Sequence, residues 1–259
     1  MSPFFFGTSE RRIFGVYEPA ASGASGKRAA VLCYPGGSEY IYAHRTIRQL
    51  AIKLSAAGFH TLRFDFYGTG DSAGDLTDAD LTGWETDVES AMEEIRDITG
   101  MAQITLIGLR LGATIAASVA ARLSRKVDSL ILWDPIVSGE EYLRQLGVVS
   151  QPTLDRLYSV STDSGNAHEI QGFPLTVSMM RDFHSIDLSA LISPPPTRTL
   201  MLVTERLPSH ERIFPIPAGR SAGSLEIEFV PATHSWTESS ASAGSVPVGI
   251  IQRIVNWLG

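Results

Sequence analysis

Gln103-Ile104-Thr105-Leu106-Ile107-Gly108-Leu109-Arg110-Leu111-Gly112-Ala113-Thr114 is the stretch on which the reading of the fold turns. Its first half is an apolar, β-branched run of strand length, and Leu111 onward begins a helix-like segment. Between them Gly108 and Gly112 bracket a tight turn. The glycine spacing is that of G-x-S-x-G, where small residues flank a nucleophile held in strained backbone geometry at a strand-to-helix corner. The central position here is Arg110.

Outward from this corner, strand-like and helix-like segments alternate, the pattern of a parallel sheet wrapped by crossover helices. Strands are expected at 28–34, 60–66, 103–108, 127–133, 197–204 and 224–230, and helices at 43–57, 83–98, 111–124 and 247–258. The strands are continuous apolar runs, as burial on both faces requires. Phe4-Phe5-Phe6 and Arg12 to Tyr17, joined by Gly7-Thr8-Ser9-Glu10, read as an antiparallel hairpin. Residues 136–195 interrupt the alternation and read as a helical cap inserted over the sheet, with Ser161 to Asn166 linking two cap helices and Pro194-Pro195-Pro196 ending the excursion. Residues 21–26 and 239–245, rich in Gly, Ala and Ser, read as surface loops. With 259 residues and 44% hydrophobic content the chain is long enough for a full core, and one α/β domain over 1–259 is expected.

Three further segments fall in the same order. Tyr34-Pro35-Gly36-Gly37-Ser38 follows the first buried strand, Asp65-Phe66-Tyr67-Gly68-Thr69-Gly70-Asp71-Ser72 follows the second, and Trp133-Asp134-Pro135-Ile136-Val137-Ser138-Gly139 follows the strand after the corner. With Gly108 to Ala113 they resemble the α/β-hydrolase superfamily over nearly the whole chain, within its serine aminopeptidase-like and exosortase A system-associated branch. The resemblance implies an α/β-hydrolase fold whose elbow serine is replaced by Arg110. It also implies that Gly36, Gly37 and the Leu111 N–H supply oxyanion donors. The glycines of the 65–72 loop read as structural, because no dinucleotide fingerprint surrounds them.

If the triad order nucleophile, acid, histidine holds, the histidine follows the last strand. His234 does, and it is the candidate general base; the alternative is an ordinary surface-loop histidine. His44, His60, His168, His184 and His210 read as structural or solvated. Two acids compete. Glu205 ends the strand at 200–204 and is favoured as the partner that orients His234; Asp134, which ends the preceding strand, is favoured as the counter-ion of Arg110. A buried guanidinium without a carboxylate would cost several kcal/mol, so one of the two is expected beside it.

Arginine stays protonated and cannot attack a carbonyl, which excludes an acyl-enzyme at position 110. Its planar fork suits a carboxylate, a phosphate or a developing oxyanion. Three readings stay open: an enzyme with His234 as base and Arg110 as anion holder, acting by hydrolysis, elimination, isomerisation or cyclisation; a non-catalytic binding or scaffold protein; and a serine hydrolase with a displaced nucleophile at Ser38 or Ser72. Tyr142, Met179, Met180 and Phe183 either line an apolar pocket for an acyl group or pack the cap onto the body. Leu175, Met179 and Asp182 are expected on one helix face.

Composition narrows the partners. A formal net charge of -7 without a basic stripe argues against a nucleic-acid binder and leaves a small-molecule substrate. The single cysteine, Cys33, lies inside an apolar run and cannot form an intramolecular disulfide, in keeping with a cytoplasmic location. No leader pattern and no run of about eighteen apolar residues is present, so secretion and membrane insertion are not expected. Neither metal-ligand spacing nor a nucleotide fingerprint occurs, so no cofactor is expected. Nothing in the residues sets the oligomeric state.

Overall fold

The computed structural model describes residues 1–21, 28–147, 167–170, 172–213, 223–232, 234, 236 and 246–259. Strands β1 (Ser2–Gly7), β2 (Arg12–Glu18), β3 (Arg28–Cys33), β4 (Phe59–Phe64), β5 (Ile104–Leu109), β6 (Val127–Trp133), β9 (Arg198–Val203) and β10 (Ser224–Phe229) form one eight-stranded sheet in the order β1-β2-β4-β3-β5-β6-β9-β10. The first two strands form the antiparallel hairpin expected from the sequence, and β2 joins β4 antiparallel; every other pairing in the sheet is parallel. This is the mostly parallel sheet of an α/β-hydrolase fold.

Alternation along the buried strands sorts side chains to two cores. Val31, Cys33, Leu62, Phe64, Leu106, Leu130 and Leu132 face α2 (Leu81–Thr99) and α3 (Leu111–Arg122). Leu32, Tyr34, Ile107, Leu109, Ile131, Trp133, Leu200 and Leu202 face α1 (Gly37–Ala56) and the C-terminal helix Val248–Leu258. Helix α2 is well delimited: Asp80 accepts the Gly83 N–H at its start and Gly100, at φ 72°, ends it.

Two sequence expectations are corrected. Helix α1 begins at Gly37, not 43. Gly37 adopts φ +56°, which turns the chain directly from β3 into the helix, so the aromatic run Tyr40-Ile41-Tyr42 is helical. The excursion between β6 and β9 is also not purely helical. It carries α4 (Gly139–Gln145), an antiparallel hairpin of β7 (Ala167–Ile170) and β8 (Phe173–Thr176), then α5 (Val177–His184) and α6 (Leu188–Leu191). Leu175 therefore lies on a strand rather than on the helix of Met179 and Asp182. Pro174 disfavours a helix there, and Thr176, accepting the Met179 N–H at 3.1 Å, starts α5 afterwards. The C-terminal helix is α7. Ser161 to Asn166 and 239–245, read above as linker and loop, lie outside the described residues, as does 22–26.

The 65–72 loop is a structural knot. Asp65 accepts the Tyr40 hydroxyl at 2.8 Å and the Asp71 N–H at 3.0 Å. A side chain on Gly70 (φ +53°) would lie 2.2 Å from Asp65 Oδ2. Ser72 Oγ donates to the Asp65 carbonyl at 2.6 Å and accepts the Phe14 N–H at 2.8 Å, so both its functions are engaged in holding β2 to this loop.

Candidate active site

The corner between β5 and α3 has the strained geometry its glycines require. Arg110 sits at φ 55°, ψ -123°, a conformation that side-chain-bearing residues rarely adopt. A Cβ on Gly108 would stand 2.3 Å from the Ala113 Cα, and one on Gly112 would stand 2.2 Å from the Tyr34 carbonyl oxygen. Both positions thus need glycine for backbone reasons. The Arg110 N–H donates to the Trp133 carbonyl at 2.9 Å, which ties the corner to β6.

The Arg110 side chain is buried and held on four sides. Its Nε–H donates to Glu39 Oε1 at 2.9 Å and its Nη2–H to Gln145 Oε1 at 2.8 Å. The guanidinium carbon lies 5.7 Å from the Tyr142 ring centre and 5.6 Å from that of Trp236, within cation–π range of both. The ion-pair partner is therefore Glu39, and the expectation that Asp134 plays this part is corrected. Asp134, at φ 42°, turns toward the neighbouring strand, where its carboxylate accepts the Thr204 N–H at 2.6 Å and the Thr204 hydroxyl at 2.9 Å. Its charge reaches Arg110 only as a lesser influence.

Burial shapes the titration of this cluster. It pushes Glu39 upward, against the opposing pull of the Arg110 charge and bond. It pushes Asp134 up to about 6, against the two Thr204 bonds. Burial alone would lower Arg110, but the Glu39 charge and lesser contributions leave it raised. The Tyr142 hydroxyl is raised by burial and by Glu39.

His234 and Glu205 come together: His234 Nε2 lies 3.6 Å from Glu205 Oε2, with the carboxylate mostly exposed. The His234 ring stacks on Trp236 with centroids 4.9 Å apart, so the same indole neighbours both the imidazole and the Arg110 guanidinium. Arg110, Asp134, Glu205 and His234 all line one cavity of about 800 Å³, together with Glu39, Gln145 and Thr204. Gly36 closes on α3, where its Cβ would meet Leu111 Cδ2 at 3.2 Å. Gly36 and Gly37 line an apolar slot that adjoins the cavity at Ser38 and Leu146. Tyr142, Met179 and Phe183 line that slot, while Met180 packs in the core.

Glu39 and Gln145 of the cavity are not among the residues the sequence singles out, and His210 is singled out only as structural or solvated. Glu39 was hidden by the late start assigned to α1; an acid two residues after a Gly-Gly turn, on a first helical turn, was the available signal. Gln145, 35 positions from Arg110, gave none. His210 is buried in the cavity wall within the 3-10 helix Pro208–Arg212, in keeping with the structural half of its reading. Its Nδ1 accepts the Leu207 N–H at 3.1 Å, which puts the proton of the neutral ring on Nε2, and burial lowers its pKa. Among the described residues no group of three or more His, Cys, Asp or Glu is arranged to hold a metal. No helix among them is long and apolar enough to cross a membrane.

Comparison with known proteins agrees with this architecture. The family model described as serine aminopeptidase, S33, matches residues 25–175. The human protein ABHD12B is 32% identical over 106 residues, a match covering 40% of this chain and 28% of that protein. The chain thus spans less than a third of that relative's length. Est1E from Butyrivibrio proteoclasticus with ferulic acid bound superposes with a TM-score of 0.72 at 16% identity, over 98% of this chain and 97% of that one. Mouse alpha/beta hydrolase domain-containing protein 10 does so at 0.61 and 17%, over 100% and 98%.

Proposed function

The chain belongs to the serine aminopeptidase S33 family of α/β-hydrolase folds, and from that premise we propose that it is an enzyme working without a nucleophilic serine at its elbow. Its substrate is an acyl, ester-type or other anionic small molecule. Arg110 holds the anionic group or the developing oxyanion with a permanently charged planar fork, aided by N–H groups of the 36–37 loop and the head of α3. His234 takes a proton from water or from the substrate, and Glu205 orients its ring. Such a site serves direct hydrolysis, or elimination, isomerisation or cyclisation, with no covalent acyl-enzyme. The observation that carries this reading is the shared cavity: the Arg110 cation, the His234 imidazole and the carboxylates of Glu39, Asp134 and Glu205 border one space large enough for a small molecule.

One observation favours a second reading, that of a non-catalytic binding or scaffold protein. Two Arg110 donor positions are already taken by Glu39 and Gln145, as in an ion pair that serves packing. The separating experiment measures turnover of a short-chain aryl ester and a panel of acyl thioesters by wild type and His234→Ala, alongside a fluorophosphonate label. Turnover lost in His234→Ala with no labelling is the expected result. Labelling would point to a displaced serine, for which Ser38 lines the cavity whereas the Ser72 hydroxyl is engaged elsewhere. Neither turnover nor label on the whole panel favours the binding protein.

A further inference from the structure

The apolar slot beside the main cavity has a size and lining that specify part of a ligand. Its walls include Trp84, Tyr142, Leu146, Phe173, Leu175 and Met179, and among the described residues no side chain of Asp, Glu, Lys, Arg or His lines it. The polar ends of its aromatic rings are turned to other partners: the Trp84 Nε1–H donates to the Tyr67 carbonyl at 3.0 Å, and the Tyr142 hydroxyl acts on Glu39. An enclosed water needs two to four polar partners, so such a lining favours an apolar occupant over solvent. The slot is also in the right place. It meets the cavity at Ser38 and Leu146 and is bordered by Gly36 and Gly37, the loop that faces the head of α3.

We propose that the substrate is amphiphilic, with an anionic or acyl head at Arg110 and a short unbranched apolar tail in this slot. The inference rests on the reading of Arg110 as the anion holder. The slot is small, about 40 Å³, so it takes only a short chain.

A chain-length series of alkylphosphonates from methyl to octyl, titrated calorimetrically into the full chain, tests it, with Arg110→Met as the head-group control. Affinity is expected to rise about fourfold per added methylene, equivalent to about 0.8 kcal/mol, over the first few carbons and then to level or fall. Leu175→Trp, filling the slot, should bring the butyl-to-methyl affinity ratio close to one, and Leu175→Ala, enlarging it, should move the break to longer chains. Equal affinity across the series, still lost in Arg110→Met, overturns the tail assignment and leaves the proposed function standing. A steady rise through octyl overturns it too, since this slot could not hold that chain. No binding of any member overturns both.

Discussion

Replacing Asp134 by Asn gives the sharpest physical test of the cavity floor. Burial holds the Asp134 pKa at about 6, against an ordinary 3.8. A carboxyl whose folded-state value lies above its unfolded one binds its proton more tightly when folded. Its contribution is therefore most favourable below pH 3.8, and stability is lost as pH rises from there to 6. Linkage sets the loss at about 3 kcal/mol once pH lies above both values, roughly half of it reached by pH 5. Asparagine is neutral throughout, tolerates the φ of 42° better than most residues, and keeps an oxygen for the Thr204 N–H. Asp134→Asn should therefore gain on the order of 1 kcal/mol on wild type between pH 5 and pH 8, whatever its offset at either pH. Urea unfolding followed by tryptophan fluorescence at both pH values reads this difference directly. Parallel pH dependences for the two proteins would refute the argument, because they would mean that Asp134 is as easily ionised in the fold as out of it.

Arg110→Met strands Glu39 in a buried site, and a loss of about 3–5 kcal/mol is expected at pH 8. The loss should shrink toward pH 5 as Glu39, which burial already pushes upward, takes up a proton, and the double variant Arg110→Met/Glu39→Gln should recover most of it; equal losses in single and double variants would show that the pair is not what holds the site. Gly112→Ala drives a Cβ to 2.2 Å from the Tyr34 carbonyl and should cost about 3 kcal/mol or more. Gly249→Ala, on the exposed side of α7 with open space around it, should leave the denaturation midpoint unchanged or slightly higher, and similar midpoints for the two alanine variants would contradict the packing described at the elbow.

The sheet was legible because its signal is local. Continuous apolar runs at 29–34 and 130–133 have few alternatives to a strand buried on both faces, and the glycines at 108 and 112 announce a turn whose backbone contacts tolerate nothing larger. The excursion was less legible because short elements depend on what they pack against; β8 and α5 meet at Thr176, and no periodicity in ten residues separates a strand from the helix that follows it. Within the site, position along the chain order brought His234, Glu205, Asp134 and Arg110 to one cavity. It could not say which carboxylate takes the guanidinium. That choice depends on side-chain direction: Asp134 is one strand from the elbow yet faces Thr204, while Glu39 is 71 positions away and reaches Arg110 from the first turn of α1.

The arginine at the elbow changes the chemistry of the corner without changing its architecture. Gly108, Gly112 and the Arg110 N–H bond to Trp133 fix the backbone, so the strain at residue 110, roughly 1–3 kcal/mol for such a conformation, is imposed by the surroundings whichever side chain stands there. A serine would project a small hydroxyl from this point; the guanidinium projects far enough to meet Glu39 on α1, Gln145 on α4 and the rings of Tyr142 and Trp236. An incoming anion thus meets a cation already neutralised on one side by Glu39. Of the two hydrogen-bonding partners, Gln145 is the more readily displaced, because it is neutral and the exchange leaves no buried charge unpaired. It also belongs to α4, in the segment that bears the walls of the apolar slot. On the proposed function, a head group bound at Arg110 would be coupled through Gln145 to the position of the element that would receive the tail.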